Sequence, residues 1–264
     1  MTPTPRETWH LDTDRVGRRV LVFDELESTN TLAAQLAAEP DADGLVLIAD
    51  EQTAGRGQHG RVWQSRPGSS LLMSVVLKPP QELVRPVILT AWAAVAVGDA
   101  ILSLTGAQAR IKWPNDLLIR GQKCCGILIE QRGSGADITT VAGIGLNLNQ
   151  TATEFAQAGL PNATSLGSAA GGTYLDPRAA AGVLIRALDR EWVRLLNGER
   201  VAVEADWKWR VGLLGRQVLV EHANGEVSTG RLRDMAFDGL ELETQDGYAR
   251  AIAPEAVAHV RAQA

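Results

Sequence analysis

Gly55-Arg56-Gly57-Gln58-His59-Gly60-Arg61 has G-x-G-x-x-G spacing and follows a short apolar run, Leu45–Ala49. A dinucleotide-binding turn needs a helix opening at the loop and an acidic residue about 20 positions further on. Here the loop runs instead into Val62-Trp63, then Pro67-Gly68 and a strand-like run at Leu71–Leu77, with no Asp or Glu around 75–80. No Gly-Lys-Ser/Thr closes a P-loop either. What remains is a loop whose exposed amides alternate with Arg56 and Arg61. Amides and guanidinium forks suit an anion such as phosphate, and a solvated surface loop fits the same residues equally. Lys112-Trp113-Pro114-Asn115-Asp116 is the second element of interest. Pro114 fixes its own φ and keeps Trp113 extended, and Asn115-Asp116 favour a turn, so Lys112 stands at a strand end. There it is either a point charge for a phosphoryl group or an ordinary surface lysine. The two cysteines, Cys124 and Cys125, are adjacent. Neighbours on a strand point to opposite faces, which argues against a disulfide, and no metal site is expected.

The elements that position these residues follow from periodicity. The chain has 264 residues, 45% hydrophobic and 22% charged, which fits one large globular domain, or one plus a small one. A net charge of −5 argues against nonspecific binding to nucleic acid or anionic membranes. Met1–His10 lacks a basic run followed by an apolar one, so no signal peptide is expected. Val87–Leu104 contains Gly98 and Asp99 and reads as short of a membrane span; a cytoplasmic protein is expected. Residues 1–18 are polar with two prolines and read as a flexible arm, too short to fold alone. Strands are expected at Val20–Phe23, Leu45–Ala49, Leu71–Leu77, Ala109–Trp113, Asp116–Ile119, Cys124–Gln131 and Thr139–Asn147. Helices are expected after Ser28-Thr29-Asn30, from Pro86 to Leu104, from Pro177 to Asn197, and from Glu199 to Arg210, with Leu160–Tyr174 as loop. Beyond a boundary near Val211 the strands are short, with Asn224-Gly225 and Asp246-Gly247 as hairpin turns. The domains are therefore 19–211, around the candidate site, and 212–264, a small all-β unit.

Taken in order, these segments resemble one family, the biotin protein ligases of the type lacking a DNA-binding domain. The resemblance is carried by Ser28-Thr29-Asn30, Gln52–Trp63, Pro67–Leu71, Lys112–Asp116, Lys123–Glu130, Gly143–Asn149 and Ala163–Leu166, and covers residues 20 to 260. It implies an α+β fold: a mixed-sheet catalytic domain of the biotin/lipoate ligase type with a small C-terminal SH3-like β-barrel. The activity implied is ATP-dependent formation of biotinoyl-5′-AMP, assisted by Mg²⁺, then transfer to a lysine of a biotin carboxyl carrier protein domain. Neither DNA nor membrane is an implied partner, and the chain is expected as a monomer or weak homodimer.

The resemblance also implies roles. Ser28, Thr29, Asn30 and Gln52 match the segment that holds biotin, joined there by Arg56, Gly57, Gln58 and Lys112. Gly55, Arg56, Gly57, Arg61, Trp63, Lys112, Asn115 and Asn147 match positions around the adenylate. Arg56 and Lys112 are the catalytic cations. Read without the resemblance, Ser28–Asn30 is only a helix cap and Asn147 a strand-end turn residue. Gln58 departs from an arginine common in the family, so the intermediate is expected to be held less tightly, with His59 and Arg61 compensating in part. The loop Gly55–Arg61 is expected to be mobile without ligand. The alternatives are a lipoate/octanoyl-type acyl ligase and a noncatalytic biotin-binding module. A ligase that also represses transcription is disfavoured by the short arm and the acidic balance.

Overall fold

Every residue of β4 (Ser70–Leu77) is buried, and its two faces enter different cores. Leu71, Met73, Val75 and Leu77 face one core and Val76 the other, as alternation along a strand requires. In the computed structural model, which describes residues 3–63, 65–244 and 246–263, β4 is a central strand of an eight-stranded mixed sheet. The other strands are β1 (Glu7–Trp9), β2 (Val20–Leu26), β3 (Val46–Gln52), β5 (Arg110–Lys112), β6 (Asp116–Ile119), β7 (Gln122–Arg132) and β8 (Thr139–Asn147). Their spatial order is β1-β2-β3-β4-β8-β7-β6-β5. β2 and β3 run parallel and are joined by α1 (Thr29–Leu36), which covers the smaller core with Leu32 and Ala33. The other neighbours in this sheet run antiparallel. The expected strands are thus present, and β1 is an addition.

The opposite face carries α2 (Pro86–Thr105) and, after the short helices α3 (Ala152–Gln157) and α4 (Leu166–Ala169), the long α5 (Pro177–Leu196). Pro86 opens α2, and Gly106 ends it at φ 69°, where only glycine is unstrained. By length and composition α2 does qualify to cross a membrane, with a mean hydropathy of 2.0, more than its sequence suggested. Packing makes it a core helix: Trp92 donates to the Leu188 carbonyl at 3.0 Å and meets the Trp192 ring at 5.3 Å. Asp99 is paired with Arg190 and Arg210. The segment expected as loop from Leu160 to Tyr174 contains α4, started by Ser165, whose hydroxyl accepts the Ser168 N–H.

The N-terminal stretch differs from the loose arm its composition suggests. β1 pairs with β2, and the buried Asp189 carboxylate on α5 accepts the backbone amides of Asp14, Arg15 and Val16 at 2.9, 2.7 and 2.7 Å. Backbone groups share the docking with ion pairs of Arg6 to Asp24 and Asp50 and of Glu7 to Arg178, and a polar composition announces neither.

After α6 (Arg200–Val211), Gly212 adopts a left-handed φ of 65° and the chain enters a second, five-stranded antiparallel sheet. Its strands are β9 (Gln217–His222), β10 (Val227–Ala236), β11 (Gly239–Glu243), β12 (Ala249–Ile252) and β13 (Val257–Ala262), ordered β12-β11-β10-β9-β13. Its inner face, including Val218, Leu232 and Leu242, belongs to the same buried cluster as α2 and α5. An aromatic chain makes the join. Trp113 lies 5.7 Å from Trp207, which lies 5.4 Å from Phe237.

Candidate active site

The floor of the site is made of glycines. Gly126 on β7 pairs across the sheet with Gly145 on β8, and Gly143 lies two residues back on the same face. A Cβ on Gly145 would stand 2.6 Å from Trp63 Cε2, and one on Gly143 would collide with the Asn30 side chain. These glycines let Trp63 and Asn30 lie directly on the sheet, and over them opens a cavity of about 660 Å³.

One wall is the start of α1. Ser28 occupies the N-cap position, yet its side chain makes no capping bond, leaving the hydroxyl free of the task a serine usually has there. Thr29 donates its N–H and hydroxyl to Gln52 Oε1 at 2.7 and 3.0 Å. Asn30 accepts from the Ser74 hydroxyl at 2.6 Å and donates to Glu130 Oε2 at 2.7 Å. The same Glu130 oxygen takes Arg56 Nη2 at 2.9 Å, so one carboxylate ties the polar turn to the glycine loop.

The loop forms a small hairpin. Arg56 and Val62 form an isolated antiparallel bridge, Gly57 N–H donates to the Arg61 carbonyl at 2.7 Å, and Trp63 N–H to the Gly55 carbonyl at 3.0 Å. The loop expected to be mobile without ligand has backbone pairing and one ion pair holding it. The His59 side chain lies outside what is described.

The other wall carries two ammonium groups. Lys112, at the end of β5, is exposed and lines the cavity. Lys123 on β7 is more enclosed: its Nζ is 2.6 Å from Asp116 Oδ1 and 5.8 Å from the Trp63 ring centroid. Asn115 is committed to its own turn, donating to the Ile127 carbonyl at 2.7 Å. Asn147 donates to the Thr164 carbonyl at 3.0 Å. Both still line the cavity, as do Ser28, Thr29, Asn30, Gln52, Arg56, Gly57, Gln58, Arg61, Trp63 and Lys112. Gly55 does not line it and serves as the hairpin's closing residue. Lys123, Glu130 and His259 were assigned no role from the sequence. Lys123 and Glu130 stand in a quoted segment, Lys123–Glu130, so a signal for them existed. His259 had none.

The arrangement places cations, amides and hydroxyls around one cavity, with no nucleophile-and-base pair for covalent catalysis among the described residues. The vicinal thiols are buried, and burial pushes Cys124 up to about 12 and Cys125 well above its usual value. Such a site suits bringing two anions together.

The chain matches the biotin/lipoate A/B protein ligase family over residues 22–149. The biotin–[acetyl-CoA-carboxylase] ligase of Mycobacterium tuberculosis is 34% identical to it over 252 residues, covering 92% of this chain and 90% of that one. The chain belongs to the biotin protein ligases. The bifunctional ligase/repressor BirA of Bacillus spizizenii is also 34% identical, over 90% of this ligase and 73% of its own length. A structure of the biotin protein ligase from Aquifex aeolicus, in complex with biotin and ATP, superposes with a TM-score of 0.72 at 23% identity. The match covers 92% of this chain and 99% of that one and shows the same fold.

Proposed function

We propose that this ligase joins biotin to ATP as biotinoyl-5′-AMP and then passes the biotinoyl group to the ε-amine of a lysine on a biotin carboxyl carrier domain, in the cytoplasm. The observation that carries the reading is the meeting of the Ser28–Asn30 turn, the Arg56 loop and two lysines on one cavity. A volume of this order suits a small-molecule pair held largely out of water.

In the first step an oxygen of the biotin carboxylate attacks the α-phosphorus, and the bond to the β-phosphate oxygen breaks, releasing pyrophosphate. Two negative groups must touch, so fixed positive charge in a water-poor site is the main contribution. Arg56 and Lys112 are the cations that the resemblance names. We add Lys123, which is enclosed by Trp63, Asp116 and Gly126, as a third cation beside Lys112 for the phosphate chain. Arg56 is held in readiness by Glu130. Both side chains are about 40% exposed, and a pair so exposed is worth only about 0–1 kcal/mol, so a ligand anion can displace the carboxylate. The Ser28 hydroxyl and the Gln52 amide nitrogen, both on the cavity wall, are the groups we assign to the polar atoms of biotin. In the second step the carrier amine attacks the acyl carbon, and AMP leaves with the electron pair.

Among the described residues no cluster of three metal-binding side chains occurs. Mg²⁺ takes one or two carboxylates with substrate phosphates and water, and Asp116 in the cavity would be that carboxylate once its pairing with Lys123 is exchanged for the ion. The ion would supply charge neutralisation to the phosphates.

The test is biotin-dependent pyrophosphate release from ATP, with label followed onto a carrier domain and lipoate tried as competitor. Release requiring biotin and label on the carrier are expected. Biotin binding without pyrophosphate would leave a binding protein, and equal use of lipoate would move the substrate class.

A further inference from the structure

The cavity wall is not supplied by the eight-stranded sheet alone. Among the described residues, His259 on β13 is the one member of the second sheet that lines it. Its Nδ1 is buried with no hydrogen-bond partner. Two features aim the ring there. Val257 pairs with His222 while His259 pairs with the adjacent Glu221, so Ala258 is an extra residue, and such bulges re-aim the side chain beside them. The Val257 carbonyl accepts the Trp113 indole N–H at 3.2 Å, pinning this stretch to the turn that carries Lys112, Asn115 and Asp116. A buried ring nitrogen without a partner is costly, and a ligand group is one thing that offsets such a cost.

The neighbouring groups select what that ligand group is. Lys112 and Lys123 make this end cationic, Asp116 is paired with Lys123, and the Asn115 amide is spent on Ile127. Biotin's carboxylate and the α-phosphate must meet where α1 and the Arg56 loop converge. His259 comes instead with the Lys112–Asp116 turn. We propose that His259 donates a hydrogen bond to the β,γ-phosphate portion of ATP, the portion that departs as pyrophosphate. The second sheet then contributes a binding residue to the first half-reaction and none to the second. This rests on the ligase chemistry proposed above.

The experiment compares wild type, His259→Ala and His259→Asn in three assays: biotin-dependent pyrophosphate–ATP exchange, biotin binding by calorimetry, and single-turnover transfer from purified biotinoyl-5′-AMP to a carrier domain. His259→Ala is expected to raise the KM for ATP about tenfold, as loss of one hydrogen bond to a charged group does. Biotin affinity and transfer from the purified adenylate should stay at the wild-type level. His259→Asn, which keeps an N–H near the position of Nδ1, should recover part of the loss, and it carries the same criteria if the alanine variant folds poorly. An unchanged KM for ATP overturns the proposal. So does an equal loss in the transfer step, which would put His259 at the acceptor amine. Absence of biotin-dependent exchange in the wild type would instead remove the ligase chemistry itself.

Discussion

Ser28 is the residue whose local role and chemical role part most clearly. A serine at a helix start normally spends its hydroxyl on the helix, and here it does not. Ser28→Ala should therefore lower biotin affinity about tenfold while leaving the thermal midpoint in place; a matching loss of stability would return the hydroxyl to capping. Gly145→Ala is expected to act in the opposite place, on the floor, by forcing Trp63 off the sheet. Ligand affinity should fall and tryptophan emission should shift, and an alanine variant with wild-type emission would contradict the contact. Cys124 and Cys125 should resist maleimide in the folded protein, because burial keeps both thiols protonated at neutral pH; rapid labelling of native protein would show otherwise. Ser28, Arg56 and Lys112 were legible in the sequence because each sits inside a contiguous motif. His259 was not, and Lys123 and Glu130 stood in a quoted motif without a role, because their importance depends on which strand they land beside. The registers of β7 on β8 and of β13 on β9 set that, and no local pattern encodes a pairing between distant segments.

At the level of elements, α3 is short and depends on its cap. The Glu154 carboxylate accepts the Thr151 backbone N–H and hydroxyl while the Thr151 hydroxyl accepts the Glu154 N–H. The Thr151 backbone N–H, and then its hydroxyl, hold Glu154 below its ordinary value of 4.5. A lowered carboxylate stabilises fully above its unfolded value, and that support is lost as pH falls through the folded one. Relative to its intrinsic rate, amide exchange in α3, whose Phe155 lines the cavity, should thus accelerate below pH 4.5 before the central strands respond. Uniform acceleration across the chain would count against it. The glycine-loop hairpin depends on Glu130, so Glu130→Gln should hasten proteolysis within Gly55–Arg61 while β7 stays intact; equal cleavage rates would mean that backbone pairing alone holds the loop. Long strands and helices with clear apolar runs were readable from sequence. The docked stretch at residues 14–16 was not, because its anchor is one carboxylate more than 170 residues away meeting backbone amides that every residue type but proline possesses.

Across the whole molecule the two sheets share one core, and Trp207 is its keystone, buried between Trp113 and Phe237. Trp207→Ala should cost about 3–5 kcal/mol, a large share of an ordinary domain's stability. The remaining protein should melt in one transition; separate melting of the 212–264 segment would show that its sheet stands alone. The change of character near Val211 was visible in composition, but the continuity of the core was not, since apolar positions do not say which partner covers them. One consequence concerns synthesis. Ser28 and His259 face the same cavity yet are 231 positions apart in the chain (259 − 28). At about 5–20 residues per second, the ribosome takes roughly 10–50 s to make the second after the first. For that interval a nascent chain holds the Ser28 turn and the Arg56 loop without the wall that His259 completes, so the ATP-dependent step proposed for this cavity has to wait until β13 has emerged.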